Sequence, residues 1–448
     1  MIHKKLKKGY DIKVDGISEK RFETAQNSDL IAVKPDDFIG LKPKLMVKEG
    51  DSVQVGSPLF YHKENDSLVA VSPASGTVEE IIRGDRRKIE AIVVRNDGRF
   101  SNVSYDIKGV AFNEIVSVLK RSGIFVNLKQ RPYGIIPDPE IKPRDIFISV
   151  MDTSPLAADQ LFLLKGKENL FQKGLDVLAL LTDGTVHLVH DKEMDSENIC
   201  KNFHNVELHS FKGKHPAGNS GVHIHHIAPV KDSHDVLWTV PFQTVLDIGY
   251  LYMNKTINNK ISVAVAGPSA ENRFYYEVIR CAQVDSFVKV NHSKPSRIIS
   301  GDVLTGSDCT KGFISWNKNL VTVIPEIVKS RFVGWLMPGF TLPSFSRTYV
   351  SWYISKIFPS INFKHNSGLN GGLRAFIVTG EMEKVLPMDI YPMYLIKSIL
   401  AEEIEEMEAL GIYEVIEEDF ALCEYIDPSK NNIQAIIRQG LDLMIKEG

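Results

Sequence analysis

Cysteine is scarce and scattered: Cys200, Cys281, Cys309 and Cys423 are the four the chain has. That spacing offers no CxxC pair, no iron–sulfur tetrad and no disulfide framework, and implies buried, reduced thiols. Long apolar runs are lacking too. A membrane-spanning helix needs about 18 to 20 apolar residues, and the best stretch, Asp235 to Met253, is broken by Pro241, Gln243 and Asp247. No transmembrane segment is expected. The basic start, with Lys4, Lys5, Lys7, Lys8 and Lys13, has no apolar stretch behind it of the kind a secretory signal carries, so the chain reads as cytoplasmic. That cluster fits a solvated edge strand, with contact to anionic lipid or an acidic partner as the other option. Nor does one sign of charge dominate. The 53 Lys and Arg against 56 Asp and Glu leave a net charge of -3, which argues against a nucleic-acid surface.

What is present indicates a folded protein, 43% hydrophobic and 24% charged, whose 448 residues predict about two to four domains. The most informative stretch runs from Lys42 to Ile89. Gly50, Gly56 and Gly76 punctuate short alternating strands, and Val47, Val53, Val55, Leu59, Val69, Val71 and Val78 supply the apolar face of a small barrel. The Glu49-Gly50-Asp51 turn and the Ser72-to-Val78 string resemble a biotinyl/lipoyl carrier domain. A carrier presents a modifiable lysine on a hairpin before the second motif. Here that position is Asn65, with Lys63 nearby but without the flanking residues a modifying enzyme reads, so an unmodified scaffold is expected.

Residues 106–255 read as a Rossmann-like α/β domain. Helical spacing appears at Phe112, Ile115, Val116 and Leu119, and strand-like runs at 145–150, 177–181 and 186–189, with a helix from Leu156 to Leu164 between the first two. Dinucleotide binding asks for a glycine-rich turn after the first strand. The turn is instead Met151-Asp152-Thr153-Ser154-Pro155, and GxxxxGK[ST] occurs nowhere, which argues against NADH or flavin in this domain. Residues 256–330 form a small β-rich module with glycine turns. The tail, 331–448, opens on an aromatic, irregular stretch and closes on amphipathic helices spaced by Ile396, Ile399, Leu400, Ile404 and Met407, then Ile433, Ile436, Ile437, Leu441 and Met444. Residues 1–35 are a strand-bearing segment and 36–105 the carrier-like domain.

Candidate site residues come from three places. Histidines gather between His204 and His234; on a strand, His223 and His225 would share a face and could hold a metal, but no Asp, Glu or Cys lies at matching spacing. Packing at a domain junction explains them more cheaply, with contact to an anionic or quinone-like ligand as a further option. Arg131 and Asp152 could line a crevice at carboxyl strand ends, although a salt bridge or a helix cap explains them more cheaply. The aromatics Phe332, Trp335, Phe340, Phe345, Tyr349, Trp352 and Tyr353 could mark an interface, against ordinary core packing.

Taken in order, Arg131-Pro132-Tyr133, the Met151-to-Asp159 string, His215-Pro216-Ala217-Gly218 and Val222-to-His225 resemble the NqrA family of the Na+-translocating NADH:quinone oxidoreductase across nearly the whole chain. The resemblance implies a peripheral subunit on the cytoplasmic face of a six-subunit pump that oxidises NADH, reduces ubiquinone or another quinone and exports Na+. It implies a carrier-like barrel-sandwich, a Rossmann-like domain, a soluble-ligand-binding β-grasp (SLBB-like) module and a C-terminal helical domain. No cofactor is expected on this chain; flavins and iron centres belong to the other five subunits. No catalytic, cofactor-binding or metal residue carries over, and Arg131, Asp152, His215, His223, His225 and Trp335 stand as quinone or interface candidates. Cys423, with Asp427 four residues on, resembles the remnant of a cluster motif in which one thiol cannot hold iron. An independent flavoprotein, a lipoyl or biotin carrier and a protein like the C subunit of the Rnf complex are the alternatives, each tied to a feature lacking here: a glycine loop, a flanked lysine or cluster cysteines.

Overall fold

The computed structural model describes residues 1–192, 194–291, 293–310, 312–328 and 336–447, with the side chains of 194 and 195 set aside. Before Lys34 the chain has supplied one strand to each of three sheets. Strand β1 (His3–Lys5) is an exposed edge strand, parallel to a central segment with His3 opposite Ser210. Strand β2 (Phe22–Glu23) runs parallel to the segment at Tyr275. Strand β3 (Leu30–Val33), buried from Ile31 to Val33, enters the barrel antiparallel to residues 92–95. The amino-terminal segment therefore stitches the three parts together.

The barrel continues with β4 (Pro43–Leu45), β5 (Ser52–Val53), β6 (Pro58–His62), β7 (Asn65–Val71), β8 (Gly76–Arg83) and β9 (Ile89–Asn96), in sheets ordered β3-β9-β8-β5 and β4-β6-β7. Alternation put the expected face inside: Val53, Val55, Leu59, Val69, Val71 and Val78 are buried, and Val47 packs on them. Gly76 has φ 146, and a Cβ there would meet the Arg95 carbonyl oxygen at 1.9 Å, so only glycine fits where β8 turns in. Lys63 is exposed at the β6–β7 hairpin, beside Asn65, whose Oδ1 accepts from the Ser67 N–H and hydroxyl.

Helix α1 (Phe112–Arg121) leads to the Rossmann-like layer: β10 (Lys129–Arg131), β11 (Ile146–Ser149), α2 (Gln160–Leu164), α3 (Glu168–Ala179), β12 (Val186–Asp191), α4 (Met194–Cys200), β13 (Glu207–Lys212), α5 (Ser220–Ile227), β14 (Leu237–Val240) and α6 (Phe242–Asn254). The sheet order is β1-β13-β12-β11-β14-β10, parallel except for β10. Two sequence expectations are corrected. The apolar run 177–181 is not a strand: Val177 and Leu178 end α3, where they join Phe171, Gly174 and Leu175 on a buried face, because an apolar run that short carries no period of its own. The helix expected from Leu156 begins at Gln160, since Asp159 caps it by accepting the Phe162 N–H at 2.9 Å. Asp247, which broke the apolar run, sits inside α6, where both its oxygens accept from Arg280 Nη2. Among the described residues no helix is long and apolar enough to cross a membrane.

The second six-stranded sheet contains β15 (Lys260–Ala266), β16 (Tyr275–Ile279), β17 (Ser296–Ser300), β18 (Ser307–Asp308) and β19 (Leu320–Pro325). After it come α7 (Ser351–Ile357), α8 (Pro392–Ala401), α9 (Ile404–Ala409), α10 (Ala421–Ile426) and α11 (Ile433–Glu447). Ile396, Ile399, Met407, Ile433, Ile437, Leu441 and Met444 build one core with Tyr133, Phe147, Val222 and Leu237 of the α/β layer. Leu400 departs from the expected stripe and is exposed, because α8 ends at Ala401 and Glu402 takes a left-handed turn. The acidic residues Glu402, Glu403, Glu405, Glu406 and Glu408 face water.

Candidate functional site

A cleft of about 510 Å³ opens where the carboxyl ends of β11 and β14 meet the β-module, the barrel and the C-terminal helices. This is where open α/β sheets place ligands, because strand ends and helix starts leave side chains and backbone groups unshielded there. Its walls include Arg131, Asp152 and His215 of the sequence candidates, joined by Asp37, Lys129, Asp302, Lys318 and Glu418.

Arg131 is 1% exposed. Its Nη1 donates to Asp419 Oδ2 at 3.1 Å and to the Glu414 carbonyl at 3.0 Å, while Nε has no partner. The buried Asp419 carboxylate also accepts the Ile416 N–H, closing the turn before α10. A Cβ on Gly221 would lie 2.4 Å from both Asp419 oxygens, so the glycine of the histidine-rich stretch lets α5 approach this ion pair.

The two most specific sequence blocks touch. The Thr153 hydroxyl accepts the Gly218 N–H at 2.9 Å and lies 3.3 Å from His215 Nδ1. With the Thr153 proton turned to Nδ1, the ring carries its own proton on Nε2, which is buried without a partner. Burial pushes the His215 pKa below that of a free imidazole, against the pull of Asp302 and Asp152, so the ring is a neutral donor. Asp152 closes its own turn by accepting the Ser154 N–H and hydroxyl. Crowding by the cleft walls raises its pKa despite those two bonds, and Asp302 and Glu418 raise it further. Burial lowers the Lys129 pKa, against the pull of Glu418.

The remaining candidates lie elsewhere. His223 and His225 stand on helix α5, not on a strand, which separates their side chains instead of aligning them. His223 Nε2 donates to the Ala217 carbonyl at 2.8 Å, and His225 Nδ1 pairs with Glu414 at 2.7 Å. Both are junction histidines, the first beneath the sheet and the second against the helical domain. Trp335, with Phe332, lies outside the described residues. Of the other aromatics, Phe340 and Tyr353 are exposed, whereas Phe345, Tyr349 and Trp352 are half-buried.

One group of metal-ligand type was missed in the sequence: His187 on β12 with Glu207 and His209 on β13. Its signal was the alternation of polar residues along two adjacent buried strands. His209 Nδ1 accepts the Ile2 N–H at 3.1 Å, so its proton sits on Nε2 and is donated to His187 Nδ1 at 2.9 Å. An ion between the rings would have to displace that shared proton, and the hydrogen-bonded dyad accounts for both histidines.

All four cysteines are buried and free. Burial pushes the Cys200 and Cys309 thiols up to about 12 and raises those of Cys281 and Cys423 as well. The native chain is expected to react with a disulfide reagent at least about a thousandfold more slowly than the unfolded chain, since the thiolate is the nucleophile. A fast-reacting native thiol in a stopped-flow trace would contradict this. Asp427, at the second position of the cluster-like remnant, is a turn residue whose oxygens accept from Ser429 and Asn431.

Comparison with known proteins gives concordant matches. Family models match residues 4–97 (NqrA N-terminal barrel-sandwich hybrid domain), 110–256 (NqrA second alpha/beta domain) and 262–311 (NQRA C-terminal domain). The NqrA protein of the Na(+)-translocating NADH-quinone reductase of Rhodopirellula baltica is 34% identical over 99% of this chain and 98% of its own. Its counterparts from Histophilus somni and Pasteurella multocida are 34% and 33% identical, each over 99% of both chains. Among solved structures, a chain of an NAD+-reducing [NiFe]-hydrogenase aligns over 76% of this chain and 62% of its own, with a TM-score of 0.39 and 11% identity, too distant a likeness to carry function. With family-model matches to a barrel-sandwich, a second α/β domain and an SLBB module, and a third of all positions shared end to end with these relatives, the chain belongs to the NqrA family of the Na(+)-translocating NADH-quinone reductase, an oxidoreductase complex.

Proposed function

We propose that this chain is the peripheral, cofactor-free member of its complex, docked on the cytoplasmic face against membrane subunits and shaping the quinone end. Flavins and iron centres then sit in the other five subunits. The observation that carries this reading is the occupied phosphate position. In a dinucleotide-binding α/β domain the pyrophosphate takes the N–H groups at the start of the first helix. Here Asp159 caps α2 with its own carboxylate and pairs with Lys20, and Asp152 fills the preceding turn. In the cleft Asp152 is joined by Asp36, Asp37, Asp302, Glu417 and Glu418, which outnumber the cations Lys129, Arg131 and Lys318 and disfavour an anionic cofactor.

A quinone headgroup meets no such repulsion, because it is neutral and presents two carbonyl oxygens. The cleft offers the unpartnered His215 Nε2 and apolar flanks at Ile39, Ile136, Met151 and Ile416. Tagged chain recovered from native membranes is expected to bring down a flavoprotein complex, while the isolated chain is colourless and free of iron. Calorimetric titration of the isolated chain should register a short-chain ubiquinone but neither NADH nor FMN. His215→Ala should weaken quinone binding about tenfold, the cost of one buried hydrogen bond. Flavin or iron on the isolated chain overturns the cofactor-free assignment, and a quinone titration with no heat overturns the quinone assignment.

A further inference from the structure

From Ile327 to Gly380 the chain carries no aspartate or glutamate, although acids make up 56 of the 448 residues overall. The same stretch holds six cations: Lys329, Arg331, Arg347, Lys356, Lys364 and Arg374. In its described part, 336–380, large apolar side chains face outward, among them Met337, Phe340, Tyr353, Ile357 (70% exposed) and Phe358. This is not a loose tail. The Phe345 ring packs edge-on against Tyr10 at 5.0 Å, the Phe363 N–H donates to the Lys13 carbonyl at 2.9 Å, and Lys13 Nζ donates to the Pro359 carbonyl at 2.7 Å. The inner side is pinned to the body and the outer side is bare.

On α7 the exposed residues Tyr353, Lys356 and Ile357 fall at the spacing that puts side chains on one helix face. Beside them, the Lys356 ammonium lies 4.2 Å and the Arg347 guanidinium 4.9 Å from the Trp352 ring centre. Exposed aliphatics, aromatic rings and cations without a carboxylate make the composition of a segment lying in a lipid headgroup layer. There the rings sit at the boundary, the cations reach phosphates and an acid would be repelled. An ordinary soluble partner has mixed surface charge and gives no reason to exclude every acid. The cytoplasmic loops of membrane proteins carry an excess of Lys and Arg, which would repel this surface.

We propose that the 336–380 surface rests on anionic phospholipid, with Tyr353, Ile357 and Phe358 at the headgroup boundary and Arg347 and Lys356 on lipid phosphates. This goes beyond the quinone-end reading and is tested apart from it, since vesicles contain neither quinone nor partner subunits. Purified full chain is sedimented with vesicles of phosphatidylcholine alone and of phosphatidylcholine mixed with phosphatidylglycerol, at low and high salt. The expected result is partition into the mixed vesicles, weaker by about tenfold or more without phosphatidylglycerol and falling with salt. Each cation contributes roughly fivefold, so Arg347→Glu with Lys356→Glu should abolish pelleting. Tyr353→Ser with Ile357→Ser and Phe358→Ser should reduce it at least tenfold, and the exposed Lys63→Glu should leave it unchanged. Circular dichroism checks that each variant is folded. Sedimentation indifferent to phosphatidylglycerol, or variants that pellet like the parent, would overturn the proposal. So would a chain that ignores vesicles while the apolar triple variant loses the membrane subunits in a pull-down, which would make this surface a protein interface.

Discussion

Arg131→Ala is expected to destabilise the chain by about 3–5 kcal/mol, because it leaves a carboxylate buried without its cation. The side chains of Arg131 and Asp419 are 2% and 0% exposed, so water cannot replace the guanidinium. The loss does not stop at one ion pair. Arg131 also holds the Glu414 carbonyl, and Asp419 organises the turn into α10, so the variant should loosen the helical domain from the α/β layer. Urea unfolding measures the first effect, and faster amide exchange in α10 and α11, with the barrel unchanged, measures the second. Replacing both partners by apolar residues of similar volume should cost much less, since the penalty arises from the orphaned charge. A single substitution costing under about 1 kcal/mol, the range of an exposed pair, would show that water reaches Asp419.

How much of this was legible in the sequence depends on the range of the interaction. The barrel was, because Val53, Val55, Leu59 and Val78 alternate with polar residues and Gly76 stands where a Cβ cannot fit. The parallel sheet was, because buried strands announce themselves as short, largely apolar runs such as Ile146 to Ile148, buried throughout. Helix α5 was not. Its Val-His-Ile-His string has the period of a strand, and only its packing against Phe211, Glu414 and Asp419 makes the helix the better solution. The cleft was half legible. Arg131, Asp152 and His215 were found, but Arg131 and Asp419 lie 288 residues apart, and no local pattern pairs them. Lys129, Asp302 and Glu418 reach the same cleft from three different parts of the chain, a coincidence that only the tertiary fold creates.

The second large effect concerns acid. Burial holds the imidazoles of His209, His223, His226 and His365 down to about 4, against an ordinary value of 6.5. They are neutral in the folded chain: His223 Nε2 gives its proton to the Ala217 carbonyl, and His209 Nδ1 must stay unprotonated to accept the Ile2 N–H. As pH falls below 6.5 the unfolded chain takes up protons on these rings while the folded chain does not, so stability falls. The loss levels off near pH 4, where the folded rings protonate too. Each histidine contributes about 1.4 kcal/mol per pH unit within that window. The four acting together reach about 14 kcal/mol by pH 4, as large as the usual stability of a domain of about 5–15 kcal/mol, so the native state is expected to lose most of its stability across this window. A series of thermal melts from neutral to mildly acidic pH measures the slope, and His223→Gln, which keeps a donor for Ala217 but cannot titrate, should remove one histidine's share of it. A melting temperature flat across the window would mean that the rings already share protons with water in the folded state. Unchanged steepness in His223→Gln would assign the slope to His209, His226 and His365; of these, His209 once protonated sets a second N–H against that of Ile2 and so loosens β1.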